Sequence, residues 1–210
     1  MNSKWIVVVV SLSVLVLSGC ASMSGDECVT SDWQAIGFED GSRGYSADRL
    51  GNHRKACAKH GVTPDFQAYQ TGHEQGLTSF CQPSRGFSIG ANGGSYNGVC
   101  AAHREGDFVD AYNSGYHLYN LRSRVNSASH QISSKESELK NNHELMKDKE
   151  VALIAPDTAT EDRIRIIADL KDLAETNGQL DAEIDQLIED RARHEHDLES
   201  YEAVLADSGY

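Results

Sequence analysis

Five cysteines, nine histidines and 32 acidic residues are the side chains of this 210-residue sequence from which chemistry could be built. Cys28, Cys57, Cys81 and Cys100 stand 29, 24 and 19 residues apart. That spacing holds no close pair of the kind structural zinc sites use, and no Cys-x-x-Cys redox motif. An even set of this kind suits two disulfides in an exported chain. Sequential pairing, Cys28–Cys57 with Cys81–Cys100, is preferred because it staples neighbouring segments; the other two connectivities stay open.

The remaining candidates read as structural. His53 and His60 share a face if their stretch is helical, yet a packing or solvent-facing role suits them better than metal ligation. His194 and His196, two apart on a helix, point in different directions. Glu39, Asp40 and Glu74 lie in glycine-containing units where acidic helix caps account for them. No nucleophile, orienting base and carboxylate fall together as a hydrolase requires. The run 83–96 has glycines at 86, 90, 93 and 94 but lacks the Gly-Lys-Ser/Thr of a phosphate loop. Asn92-Gly93 marks a turn there, so the stretch reads as a loop or small hairpin. No catalytic, cofactor-binding or metal-ligating residue emerges, and the expectation is a non-enzyme without a cofactor.

Cys20 is different. Lys4 precedes an apolar run from Trp5 to Leu17, and Leu17-Ser18-Gly19-Cys20 closes it with small residues. The run is too short to span a bilayer, which takes roughly 20 apolar residues, and has the layout of an export signal. Its end resembles the lipobox of bacterial lipoproteins. The resemblance implies cleavage after Gly19, a diacylglycerol on the Cys20 thiol and acylation of the new amino group. Each buried methylene contributes about 0.8 kcal/mol, so several chains anchor firmly. Ala21 after the cysteine, rather than Asp, favours by the same resemblance the outer membrane of a Gram-negative cell, with the protein facing the periplasm.

The elements that would position these residues divide by composition. Fifteen of the 18 glycines lie between Gly25 and Gly115, and 11 of the 15 aromatics between Trp33 and Tyr116. Residues 1–116 carry 8 basic and 11 acidic side chains, residues 117–210 carry 11 and 21, so the tail holds −10 of the net −13. Such a balance excludes a nucleic-acid face and a protein held to anionic lipid by charge alone. The expected segments are a signal over 1–19, a small Cys/Gly-rich domain over 20–116 and a helical hairpin over 117–210.

Within the small domain a unit recurs: an acidic residue, an aromatic, then glycine with a glycine or tyrosine four residues on. It begins at Asp32-Trp33, Asp65-Phe66 and, more loosely, Asp107-Phe108. Asp suits a helix N-cap, and glycines four apart share a helix face and permit close approach. The order Asp32-Trp33, Gly37, Asp40-Gly41, Gly44, Cys57, Tyr69, Gly72, Gly76-Leu77, Cys81, Gly86, Gly90, Tyr96-Asn97-Gly98-Val99-Cys100, Tyr112 and Gly115 resembles the uncharacterised proteobacterial lipoproteins grouped as domain of unknown function 2799. The likeness covers about residues 20–120. It implies a location and a cysteine pattern, but no activity.

From Leu118 apolar residues recur at three- and four-residue steps: Leu121, Val125, Ala128, Ile132, Leu139, Met146 and Leu153, interrupted by Lys135, Asn142 and Lys149. A second stripe runs from Ile166 to Leu205, interrupted by Asn177, Arg191 and His194. Sustained heptads point to an antiparallel two-helix coiled coil, over about 117–154 and 159–206. Pro156 ends the first helix, and Thr158 with Glu161 offers a capping box for the second.

The expected architecture is therefore mainly α: a small disulfide-stapled domain followed by a long helical hairpin. The leading functional expectation is a non-enzymatic outer-membrane lipoprotein, held by lipid on Cys20, with the hairpin meeting an envelope partner or a second copy. A module binding a small ligand or peptidoglycan fragment through Trp33, Tyr69 and Tyr96 is second. An envelope hydrolase ranks last.

Overall fold

A computed structural model describes residues 23–208, and Cys20 lies outside them. Among the described residues every regular element is helical. These are α1 (Gly25–Thr30), α2 (Trp33–Ser42), a short 3-10 turn (Ala47–Arg49), α3 (Leu50–Ala58), α4 (Phe66–Phe80), α5 (Pro83–Ala91), α6 (Ala102–Ile154) and α7 (Thr160–Ser208). The chain divides into two compact units. One runs up to Gln82 and includes Tyr96–Glu105; the other comprises Pro83–Ser95 and the residues from Gly106 onward. The compositional boundary near Gly115 is thus no break, since α6 passes through it unbroken.

In the first unit, polar side chains cap the starts of α1, α2 and α4. Ser24 and Glu27 form a capping box on α1, Asp32 accepts from the amides of Gln34 and Ala35 at 2.9 and 3.1 Å, and Asp65 accepts from Ala68 at 2.9 Å. Two of the three repeat units therefore open helices as expected. The third does not, because Asp107 lies inside α6.

The glycines then let α2 and α4 cross with their backbones in contact. A methyl group added at Gly37 would lie 2.0 Å from the Tyr69 carbonyl oxygen, and one at Gly72 would lie 1.8 Å from that of Gln34. Gly41 and Gly76 repeat the arrangement one turn on. Beside this crossing, Cys28, Trp33, Cys57 and Tyr69 form the core, with Met23, Ile36, Leu50, Val62 and Ala68 packed around it. The disulfides are Cys28–Cys57 and Cys81–Cys100, with Cα separations of 5.6 and 5.7 Å, which is the sequential pairing. Each removes loop entropy from the unfolded chain, about 3 kcal/mol for loops of this size.

In the second unit, the stretch read as a loop or hairpin is the helix α5. Two glycines among its nine residues, Gly86 and Gly90, lower its intrinsic propensity, and Gly93 and Gly94 follow just after it, which misleads a local reading. Pro83 takes the first helical position, where its missing amide hydrogen is not needed, and Gly93, at φ 71°, ends the helix beyond Asn92. Packing offsets the propensity: a methyl group at Gly86 would lie 2.4 Å from the Phe108 carbonyl oxygen, at Gly90 2.1 Å from that of Tyr112, and at Gly115 2.1 Å from that of Phe87. The second unit therefore has a glycine crossing of the same kind as the first, α5 against α6.

Beyond it α6 and α7 pair as an antiparallel hairpin. Buried or half-buried positions step through 121, 125, 128, 132, 135, 139, 142, 146, 149 and 153, and through 163, 166, 170, 173, 177, 180, 184, 187, 191, 194, 198, 201 and 205. That alternation of threes and fours is the period of a heptad seam. Four of the six polar interruptions find partners across it, whereas Arg191 pairs only along its own helix, with Glu195 at 3.6 Å, and His194 Nδ1 is buried without a hydrogen-bond partner. Asn142 Nδ2 donates to Asn177 Oδ1 at 2.9 Å, Lys149 meets Asp169 at 2.6 Å, and Lys135 meets Glu183. The paired asparagines bond only in this register, so they fix how the arms align.

At the turn, Thr158 donates its hydroxyl to Ala152, closing α6 rather than capping α7, which begins at Thr160. Arg163, at a seam position, reaches back to the carbonyls of Leu153, Ala155 and Thr158 and satisfies the exposed end of α6. We expect Arg163→Ala to cost about 1–3 kcal/mol locally, read as faster amide exchange over residues 150–160 with the rest of the hairpin unchanged.

Candidate functional site

The most concentrated set of ionisable groups surrounds Asp40 in the first unit. Asp40 is 5% exposed on α2. Its carboxylate accepts from the Tyr69 hydroxyl and pairs with His53 Nε2, both at 2.9 Å, and Arg49 Nε lies 2.8 Å away without pointing its N–H along the contact. The Arg49 guanidinium sits over the Tyr45 ring, 3.8 Å from its centre. His73 bonds the Tyr45 carbonyl at 2.8 Å and stacks on Tyr69. Burial, then the bond to Asp40 and its charge, drive the Tyr69 phenol's ionisation above its ordinary range, so the hydroxyl remains a donor.

Asp40 was read as an acidic cap. It is instead a buried acceptor shared by four segments: α2, the 3-10 turn, α3 and α4. Its place three residues after Gly37 is the available signal, since residues three apart share a helix face and Gly37 packs against α4. Every contact uses the carboxylate to neutralise or accept from a neighbour, which is the work of a structural hub.

The aromatic ligand wall is not assembled. Trp33 and Tyr69 are 8% and 1% exposed and belong to the core. Tyr96 spans a short loop, its hydroxyl donating to Glu105 at 3.0 Å and accepting from the Cys100 amide at 2.9 Å. An open cleft of about 340 Å³ beside Cys81 is lined by Glu74, Leu77, Thr78, Ala101, His103 and Arg104, without a buried polar group aimed into it.

The letters of a nucleophile elbow occur at Gly86-Phe87-Ser88-Ile89-Gly90. An elbow needs a strand-to-helix turn that holds the serine in strain. Here all five residues lie within α5, and Gly86 and Gly90 serve the crossing with α6. No group of three or more His, Cys, Asp or Glu among the described residues could hold a metal ion.

The tip of the hairpin carries the other distinctive surface. Val151, Ile154, Ile164 and Ile167 are 67, 78, 64 and 56% exposed. Ile154 and Ile164 directly follow the seam residues Leu153 and Arg163, and Ile167 follows the seam residue Ile166. In an antiparallel pair these positions fall on the same flank, with Val151 behind them on α6. The opposite flank presents Asp148 together with the ion pairs Asp162–Arg165 at 3.4 Å and Asp169–Lys149 at 2.6 Å. The hairpin end is thus apolar on one side and charged on the other.

Residues 32–117 match the model of a family described as protein of unknown function (DUF2799). No curated protein and no solved structure matches the chain. Among the described residues no helix is long and apolar enough to cross a membrane.

Proposed function

We propose, on the premise that residues 32–117 belong to the family of proteins of unknown function DUF2799, that the protein is a non-enzymatic lipoprotein of the outer membrane, tethered through Cys20, whose helical hairpin is an interaction arm. The observation that carries this reading is the apolar flank at the hairpin tip. Exposed contiguous apolar surface rimmed by charge is the pattern of a protein-binding site, and the tip stands at the far end of two arms of 53 and 49 residues. In the Asp40 cluster the carboxylate is taken up by Tyr69, His53 and Arg49.

The test has two arms. Replacing Ile154 or Ile167 by a photocrosslinking residue should yield one dominant adduct in cells, and Ile154→Glu with Ile164→Glu should abolish it without lowering the chain's level. Adducts equally abundant from Lys140 on the shaft would refute tip recognition. Separately, Cys20→Ala should move the chain from the membrane to the soluble fraction and remove the acyl mass; unchanged fractionation and mass would sink the anchor.

A further inference from the structure

Within a chain of net charge −13, the sixteen residues 49–64 contain Arg49, Arg54, Lys55 and Lys59, with His53 and His60, and no acidic side chain. Arg49 and His53 are committed to Asp40. Arg54, Lys55 and Lys59 are exposed, and none of the ion pairs among the described residues involves them. They lie on and just beyond α3, which Cys57 ties to Cys28. The acidic neighbours are Asp48 and, on α1, Asp26 and Glu27; Glu27 is held by the Ser24 cap.

The start of the described chain lies against this helix. Met23 packs on the core cluster, its sulfur is 4.0 Å from that of Cys57, and with Arg49, Asn52, His53 and Ala56 it lines a cleft of about 270 Å³. Helical spacing places Lys55 and Lys59 beside Asn52 and Ala56. Cys20 precedes Met23 by three residues, so even a fully extended chain keeps it within about 11 Å of Met23. Resting on the lipid-anchor reading, that distance brings the membrane surface to roughly one Debye length, about 8–10 Å, from the basic edge of α3.

We infer that the basic edge of α3, formed by Lys55 and Lys59 with Arg54, docks on the anionic phospholipid headgroups of the leaflet that carries the anchor. The charges match and the leash leaves little room for another face to take that place. Each basic residue near such a surface strengthens contact roughly five-fold. That is too little to hold a free acidic chain, and enough to orient one that lipid already holds. The docked face fixes which way the first unit sits on the bilayer.

The lipidated full chain, reconstituted into vesicles of phosphatidylcholine alone or mixed with phosphatidylglycerol, tests this. A water-soluble acylating reagent and residue-resolved mass spectrometry report each lysine. Lys55 and Lys59 should react several-fold more slowly on the anionic vesicles and recover in molar salt, while Lys140 and Lys147 on α6 stay unchanged. Equal rates at Lys55 and Lys59 on the two compositions, whether fast or slow, overturn the docking face and leave the anchor standing. A chain that floats with neither vesicle overturns the anchor and the docking face with it.

Discussion

Gly72→Ala should unfold or nearly unfold the first unit, lowering its stability by about 3–5 kcal/mol. The added methyl carbon would lie 1.8 Å from the Gln34 carbonyl oxygen, 2.7 Å from its carbon and 2.9 Å from the Phe38 amide nitrogen. All three are backbone atoms, so no side-chain rotation relieves the clash, and α2 and α4 must separate. Overpacking usually costs about 1–3 kcal/mol and occasionally more, and the larger figures apply when helices rather than rotamers have to move. Separation also breaks the matching contacts at Gly37, Gly41 and Gly76. For a unit of this size the loss corresponds to a melting-temperature drop on the order of 12–40 °C, at about 4–8 °C per kcal/mol. Gly178→Ala is the control. A methyl there meets nothing within 4 Å in the middle of α7, so the same chemical change should stabilise by about 0.5–1 kcal/mol through helix propensity. Equal effects at the two sites would contradict the close crossing.

Asp40→Ala should be the next most damaging single change, at about 3–5 kcal/mol, because it strands partners rather than merely removing a bond. Arg49, His53 and the Tyr69 hydroxyl all converge on that carboxylate. Asp40→Asn keeps the shape and an acceptor for Tyr69 but not the charge facing the guanidinium, so it should fall between. Tyr69→Phe alone should cost about 1 kcal/mol. Introduced together with Asp40→Ala it should cost little more, since the hydroxyl has already lost its partner. Urea unfolding of the four variants reports the coupling directly. If Asp40→Ala shifts the midpoint no further than Tyr69→Phe does, the hub is not what holds these segments together.

Where the sequence speaks through period and spacing, it is legible at the level of single residues. The steps from Leu121 to Leu153 name the inward face of α6, and Pro156 marks its end within two residues of Ile154. Asp32 and Asp65 identify two helix starts because a short carboxylate beside a helix has one obvious donor set to meet. The run from Pro83 to Ala91 shows the limit. Its four-residue glycine spacing is the same signal that marks α2 and α4, yet low propensity and the following Asn-Gly argue for a loop. Tertiary contact with α6 decides the outcome, as it does for Asp107, whose position inside α6 follows from a helix that had already begun at Ala102.

By itself, then, the sequence determined the helical class and the hairpin with its turn, which rest on local order along the chain. Tertiary structure alone decided which cysteines pair, that Gly86 and Gly90 lie in a helix, that Asp40 is a shared acceptor rather than a cap, and that Met23 shares a cleft with Asn52 and Ala56 of α3. The physical reason is range. Periodicity, caps and signal segments are interactions between residues a few positions apart, whereas a disulfide, a backbone crossing or a buried carboxylate is settled by groups that are distant along the chain and adjacent only once it has folded.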